Sequence, residues 1–316
     1  MGWNHVRVCS ELGCLAGVCD NDSESSKAVG EEFGVPYFTS VEKAIENCRP
    51  DGVIIATPTS SHHQIALSVL ALGTHVLVEK PITNDYATGR EIIDKSEKLG
   101  LICGVGHIER FNPVIKRCKG MIDDGELGEV ITISSRRVSN FPGRIRDVGV
   151  ILDLGIHDID NSIFLMGSKP VSVFCTGGTH NDIEYEDHVT IMILFENGKS
   201  AVIEVNWITP LKVRKISLTC EKAFAELDYM DQTISVSSSK YIDPDDKSQY
   251  PAKIEFETRN LPVIKKEPLK LEIEDFISAV NGEKEIGVSG KDGLLALKVA
   301  RAAEESLSKG EVVNIE

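Results

Sequence analysis

The sequence predicts a doubly wound α/β domain with a parallel sheet, followed by an α+β domain built on a mostly antiparallel, open sheet. Three observations carry this expectation. Up to about residue 108, short Val- and Ile-rich runs alternate with helical stretches, the pattern of strands covered on both faces by crossover helices. Beyond that point apolar and polar residues alternate with period two across short polar turns such as "ENGK", as in a sheet buried on one face. The chain's 316 residues are enough for two domains, each with its own core. Domains are therefore expected at 1–108 and 109–316, the C-terminal helices being free to pack back on the first.

The chain opens "MGWNHVRVCS", an amphipathic helix that begins like the inside of a glycine-rich loop. The strand that would precede such a loop is missing, so the first domain is expected to be N-terminally truncated. "CLAGVCD" reads as a strand, Ser23 to Phe33 as a helix closed by Gly34, "PYF" as a short strand, and a helix capped by Ser40 runs to Cys48. "DGVIIATP" is a buried strand, His62 to Leu72 a helix stopped by Gly73, "HVLVEK" a strand, Asp85 to Leu99 a helix, and "LICGVGH" a strand. In the second domain a helix spans about Asn112 to Ile122. The strands "EVITISSRRV", "VSVFCTG", "VTIMILF", "SAVIEVNWI", "RKISLTC" and "AFAELDY" follow. Residues 239–268 read as an exposed excursion, and helices at about 268–281 and 289–308 close the chain.

Lys plus Arg number 34 against 49 Asp plus Glu, a net charge of −15. Such an acidic chain repels phosphate backbones and anionic membranes, so nucleic acid and membrane are not expected partners. No apolar run approaches the roughly 20 residues of a membrane helix, and the first residues lack a secretion signal. A cytoplasmic location is expected. The eight cysteines contain no Cys-x-x-Cys pair and suit a reduced compartment. Cys9, Cys14 and Cys19 are evenly spaced but fall on a helix, a turn and a strand, which favours buried thiols over a metal site.

Four stretches carry candidate chemistry. With an upstream strand and turn, Gly2 would be the third glycine of G-x-G-x-x-G, beside a pyrophosphate, and Asp20 at the end of the next strand would take both adenosine ribose hydroxyls. Asp20 and Asp22 would repel a 2′-phosphate, so the cofactor would be NAD rather than NADP. An ordinary helix start and a turn acid are the alternative. "ATPTSSHH" brings Thr57, Pro58 and Thr59 to the carboxyl end of a strand and His62 to a helix start facing the cofactor. Simple capping by Ser60 and Ser61 would explain it equally. "HVLVEKPIT" ends an apolar strand in Glu79, Lys80 and Pro81, placing a lysine where doubly wound folds keep their ligand crevice; a snorkelling surface lysine is the alternative. The peptide before Pro81 is a candidate cis bond. In "DVGVILDLGIHDID" Asp153 and His157 are four apart, on one face of a helix, and a carboxylate beside an imidazole raises its basicity. A metal site with Asp158 and Asp160, or a satisfied histidine in an acidic helix, are the rivals, and no metal is expected.

Together, Gly2 to His5, Asp20, "ATPTSSH", "VEKP" and "DLGIHD" resemble the oxidoreductase family of glucose-fructose oxidoreductase and inositol dehydrogenase (Gfo/Idh/MocA) over nearly the whole chain. The resemblance implies a Rossmann domain carrying NAD, with Gly2, His5, Asp20, Thr57, Pro58, Thr59, His62, Glu79 and Lys80 toward the cofactor. It implies a second domain whose open sheet walls the substrate site and forms a homo-oligomer, dimer or tetramer. Lys80 then matches the family's catalytic lysine, and Asp153 and His157 its acid and histidine. "GHIERFNPVI" and "RRVSNFPGRIRDVGVILDLGIHDID" look like the branch that oxidises nucleotide sugars, notably UDP-N-acetylglucosamine 3-dehydrogenases. Guanidinium forks suit a diphosphate, so Arg110, Arg137 and Arg144, with Asn112, are the candidate substrate ligands, and Arg136 and Arg146 add charge nearby. Surface arginines are the alternative. A free polyol or aldose is the second substrate reading, and a catalytically silent NAD-binding protein the reading of another class.

Overall fold

The computed structural model describes residues 1–141, 148–181, 184–242 and 253–315. In chain order these form α1 (Gly2–Glu11), β1 (Val18–Cys19), α2 (Ser23–Phe33), β2 (Tyr37–Phe38), α3 (Val41–Cys48), β3 (Gly52–Ile55), α4 (Thr59–Ala71), β4 (His75–Glu79), α5 (Tyr86–Leu99) and β5 (Cys103–Gly106). A 3-10 turn (Ile108–Phe111), α6 (Pro113–Asp123), β6 (Val130–Asn140), a π turn (Ile151–Gly155), α7 (Ile156–Met166), β7 (Pro170–Gly178), β8 (His188–Phe195) and β9 (Ser200–Asn206) follow. The chain ends with β10 (Ile208–Cys220), β11 (Phe224–Asp228), β12 (Thr233–Ile242), β13 (Lys253–Leu261), α8 (Pro268–Val280), α9 (Gly290–Lys309) and β14 (Val313–Asn314). Two compact units result: Met1–Phe111 with Glu267–Lys298, and Asn112–Lys266 with Val299–Glu316. No helix among the described residues is long and apolar enough to cross a membrane.

The first unit is a parallel α/β structure whose strands lie in two separate sheets, β1-β2 and β3-β4-β5. Its central strand β4 pairs with β3 from Gly52↔His75 to Ile55↔Val78 and with β5 from Val76↔Cys103 to Glu79↔Gly106. "CLAGVCD" contracts to the two residues of β1 because β2 is itself only Tyr37–Phe38 and, among the described residues, no further strand pairs with β1. Val76 and Val78 are fully buried, each worth about 1.5–3 kcal/mol against exposure. Val8 of α1 and Leu269 and Ile273 of α8 form a cluster on which Ile54 and Ile108 pack. Gly52 is obligatory there, since a Cβ would stand 2.8 Å from the Phe276 ring of α8. Asp22, Ser40 and Asp85 accept backbone hydrogen bonds at the starts of α2, α3 and α5, each cap worth about 1 kcal/mol.

The second unit is a nine-stranded mixed sheet in the order β13-β12-β11-β10-β6-β9-β8-β7-β14. Only β6 and β9 pair in parallel; the other neighbours are antiparallel. Alternation is clean in β8, where Val189, Ile191, Ile193 and Phe195 are buried while Met192 and Leu194 face outward. Part of the expected excursion at 239–268 is instead ladder, with β12 and β13 paired from Ile234↔Leu261 to Ile242↔Lys253. The serines of "TISVSSSKYI" dilute the apolar period that marks a strand, so backbone pairing at the sheet edge decided the outcome. The expected helix around Asp153 begins as the π turn and becomes α-helical at Ile156.

Candidate active site

Three helices of the first unit, α1, α4 and α8, have no side-chain cap and no acidic residue in the first turn, whereas α2, α3 and α5 are capped by side chains. α8 has Glu267 at its N-cap and opens on Pro268, while the starts of α1 and α4 offer backbone amides and the positive end of the dipole, which attract an anion. Gly2 opens α1 with its Cβ position 3.9 Å from the Ala56 carbonyl at the end of β3. Asp20 is exposed just past β1, where its Oδ1 accepts from the Asp22 amide at 3.0 Å. Helix starts for a pyrophosphate and a carboxylate for the ribose hydroxyls fit NAD.

"ATPTSSHH" is not built by serine capping. Ser61 Oγ lies 2.8 Å from both Thr57 Oγ1 and the Pro58 carbonyl, and α4 starts at Thr59, earlier than expected, so His62 falls in its first turn. The His62 ring is 1 % exposed, with Nε2 2.9 Å from the Thr57 carbonyl and Nδ1 3.0 Å from the Pro81 carbonyl. The ring thus lies between the loop after β3 and the loop after β4, with a backbone carbonyl beside each nitrogen. Thr57 and Pro58 stay exposed and Thr59 is half-buried.

Lys80 follows β4, half-buried, and its peptide to Pro81 is cis. Its amide donates to Glu79 Oε2 at 3.1 Å, while Glu79 Oε1 is 2.7 Å from His5 Nε2. His5 and Glu79 are both buried, so they bind each other. Burial pushes the Glu79 carboxyl up, but the His5 hydrogen bond and charge, with Lys80, outweigh it and hold it below its ordinary value. Glu272 of α8, absent from the sequence candidates, is 1 % exposed and has no hydrogen-bond partner on either oxygen. Burial, then the nearby Glu79 and Asp275, push it well above the ordinary value. Its signal in the sequence is an acid inside the apolar stripe Leu269, Ile273 and Phe276.

Asp153 and His157 belong to the second unit and are half-buried. Asp153 lies in the π turn and His157 in the first turn of α7, so their relation is not the simple α-helical four-residue spacing. Asp158, the rival metal ligand, is bound to Arg137. Glu186, also absent from the sequence candidates, reaches this turn with Oε1 3.1 Å from the Ile151 amide.

The expected diphosphate ligands divide. Arg137 is 2 % exposed, in a buried ion pair with Asp158 and over the Tyr229 ring at 5.1 Å. Its guanidinium thus has an internal carboxylate and an aromatic face as partners. Arg110 is likewise buried and 3.2 Å from Asp292; burial raises the Asp292 carboxyl, but Arg110 and Ser289 hold it below its ordinary value. Asn112 is buried, its Oδ1 capping α6 at the Val114 amide and its Nδ2 donating to the Tyr229 carbonyl at 3.1 Å. Arg136 is surface-exposed beside Glu204 at 3.0 Å. Arg144 and Arg146 lie outside the described residues.

Comparison with known proteins adds the following. Residues 3–107 match the model of the oxidoreductase family with an NAD-binding Rossmann fold, and residues 115–226 match the GFO/IDH/MocA C-terminal domain. The chain is 27 % identical over 309 residues to UDP-N-acetylglucosamine 3-dehydrogenase of Acidithiobacillus ferrooxidans, covering 97 % of this chain and 95 % of that protein. It is 30 % identical over 322 residues to inositol 2-dehydrogenase of Rhizobium meliloti, covering 95 % and 91 %. The solved structure of the Acidithiobacillus ferrooxidans enzyme superposes with a TM-score of 0.86 at 26 % identity, over 98 % of this chain and 94 % of that one.

Proposed function

The chain belongs to the Gfo/Idh/MocA family of NAD-binding oxidoreductases, and from that premise we propose that it oxidises a secondary hydroxyl of a nucleotide sugar, UDP-N-acetylglucosamine at C3 being the best fit. The observation that carries this reading is the end-to-end similarity to a UDP-N-acetylglucosamine 3-dehydrogenase, over 97 % of the chain. A free cyclitol is the second reading, favoured by the 30 % identity to an inositol 2-dehydrogenase and by the internal pairing of Arg110 and Arg137.

NAD, when bound, supplies the hydride acceptor; the starts of α1 and α4, Thr57 to Thr59 and Asp20 would hold it. His157 takes the proton of the reacting hydroxyl, made more basic by the Asp153 carboxylate. Lys80 donates a hydrogen bond to the same oxygen as negative charge develops on it. Glu79, fixed by His5, accepts from the Lys80 amide and so sets where that residue's backbone stands. The outward face of the large sheet, with Ile131, Met192, Leu194 and Phe224 all at least 38 % exposed, supports a homo-oligomer through that face.

NADH absorbance followed over UDP-N-acetylglucosamine, other UDP-sugars and myo-inositol tests the substrate. Turnover with UDP-N-acetylglucosamine is expected, and failure of every UDP-sugar alongside turnover of inositol overturns the first reading in favour of the second. Lys80→Met and His157→Ala variants that still bind NAD are expected to lose on the order of 10²- to 10⁴-fold in kcat. Wild-type turnover by either would remove that residue from the reaction.

A further inference from the structure

We propose that Glu186 is a positioning residue, which holds in place the π turn carrying Asp153 and thereby its register with His157; the proposal rests on the catalytic reading of that pair. The turn Ile151–Gly155 has no side-chain cap of its own, although helix starts leave amides to be satisfied. Glu186 satisfies them from a distant part of the chain: its backbone carbonyl accepts from the Val150 amide at 3.0 Å, and its carboxylate Oε1 accepts from the Ile151 amide at 3.1 Å. One residue thus engages two consecutive amides at the entry to the turn.

Gly149 makes room for this contact. A Cβ at Gly149 would stand 2.0 Å from Glu186 Oε1 and 2.1 Å from Oε2, so any side chain there would expel the carboxylate. Gly149 also accepts, through its carbonyl, the Asp153 amide at 3.1 Å. The glycine that receives Glu186 is therefore the one that fixes the backbone of Asp153.

The anchor itself stands on a rigid base. The next residue, Asp187, is fully buried and accepts from the His180 amide, the Asn181 amide and Asn181 Nδ2, with His188 Nδ1 at 2.8 Å. Its backbone joins the Gly178 carbonyl and the Trp207 amide, at 3.0 and 2.8 Å. Glu186 thus ties the turn to the ends of β7, β8 and β9. A π turn closes its hydrogen bonds one residue wider than an α turn and is a rare geometry. Freed at its start, this one would shift the backbone that carries Asp153 relative to the first turn of α7, where His157 stands.

The test compares Glu186→Ala, Glu186→Gln and Gly149→Ala with wild type in steady-state NADH formation, and in hydrogen exchange of residues 148–158 in the NAD-loaded protein without sugar. Glu186→Ala is expected to lower kcat by on the order of 10- to 100-fold, leave the KM for NAD within about twofold, and speed exchange at the start of the turn. Glu186→Gln keeps an Oε1 acceptor and is expected to stay within about threefold of wild type in kcat. Gly149→Ala is expected to reproduce the Glu186→Ala effect. Wild-type kcat and exchange in Glu186→Ala would overturn the proposal. So would a Glu186→Gln as impaired as the alanine variant, because charge and not the hydrogen bond would then matter. Should wild type reduce NAD with no sugar at all, the proposed activity fails, while hydrogen exchange still decides whether Glu186 holds the turn.

Discussion

The two units differ in how one buried carboxyl group, Glu272, is treated. In the second, Asp158 is met by the Arg137 guanidinium and Asp187 by two amides, an amide side chain and a histidine. In the first, Glu79 has His5 and the Lys80 amide, but Glu272 has no hydrogen-bond partner on either oxygen. The difference follows the sheets. A continuous nine-stranded sheet offers neighbouring strands and loops from which a buried charge draws donors. The first unit's parallel strands form two short sheets, and Glu272 sits on a helix face beside Leu269, Ile273 and Phe276. Buried charge is paired in the second unit, whereas in the first desolvation pushes one unpartnered acid, Glu272, well above the ordinary carboxyl value.

The largest effect is expected where that pairing is broken outright. Asp158→Ala leaves the Arg137 guanidinium buried without its carboxylate and should cost about 3–5 kcal/mol, read from the urea midpoint. Arg137→Met combined with Asp158→Leu should recover most of that loss. A double variant no more stable than the single one would show that the pair adds stability beyond filling space.

A smaller loss, about 2 kcal/mol, is expected for Asp187→Asn, which keeps the shape but withdraws charge from several donors. Burial raises the Asp187 carboxyl, but the Asn181 amide, His188 and the His180 amide outweigh it and hold it below the ordinary 3.8. Stability from a depressed acid is present above the unfolded value and lost as pH falls through the folded one. Wild type and variant should therefore converge in acid-unfolding curves; a gap that persists at low pH would assign the loss to shape alone.

The smallest effect has the opposite sign and sharpens the contrast most. Glu272 keeps its proton above the ordinary 4.5 at which the unfolded chain releases it. Stability therefore falls as pH rises from that value toward the folded one. Glu272→Gln removes this dependence and should raise Tm by a few °C, with the gain growing as pH rises above the ordinary carboxyl value. A destabilised variant would mean that the carboxylate is used in the folded protein as an ion.

Much of the fold was legible because local signals agreed with tertiary need. Asp22, Ser40 and Asp85 cap helices near where the pattern starts them, and Gly34 and Gly100 end two of them at φ of 68° and 65°. The serine-rich β12 and its partner β13 were not legible, because edge pairing needs backbone rather than an apolar period. In the site, Lys80 stood out as a charge at a strand end and Asp153 with His157 as a spaced pair. The internal partners of His62, Arg110 and Arg137 were not legible, because composition does not show which distant groups meet a polar side chain once the chain is folded.

By itself the sequence determined most of the elements and the two architectures, which rest on periodicity and caps, and the family with its cofactor, which rests on short motifs; all of these act locally. Tertiary structure alone decided that Arg137 belongs to Asp158, that His62 bridges two backbone carbonyls, and that Asp153 starts from a π turn held by Glu186. Each of these includes a contact between residues far apart in the chain: Arg137 with Asp158, His62 with Pro81, and Ile151 with Glu186. Whether a buried polar atom finds its partner at home is settled only when the chain folds back on itself.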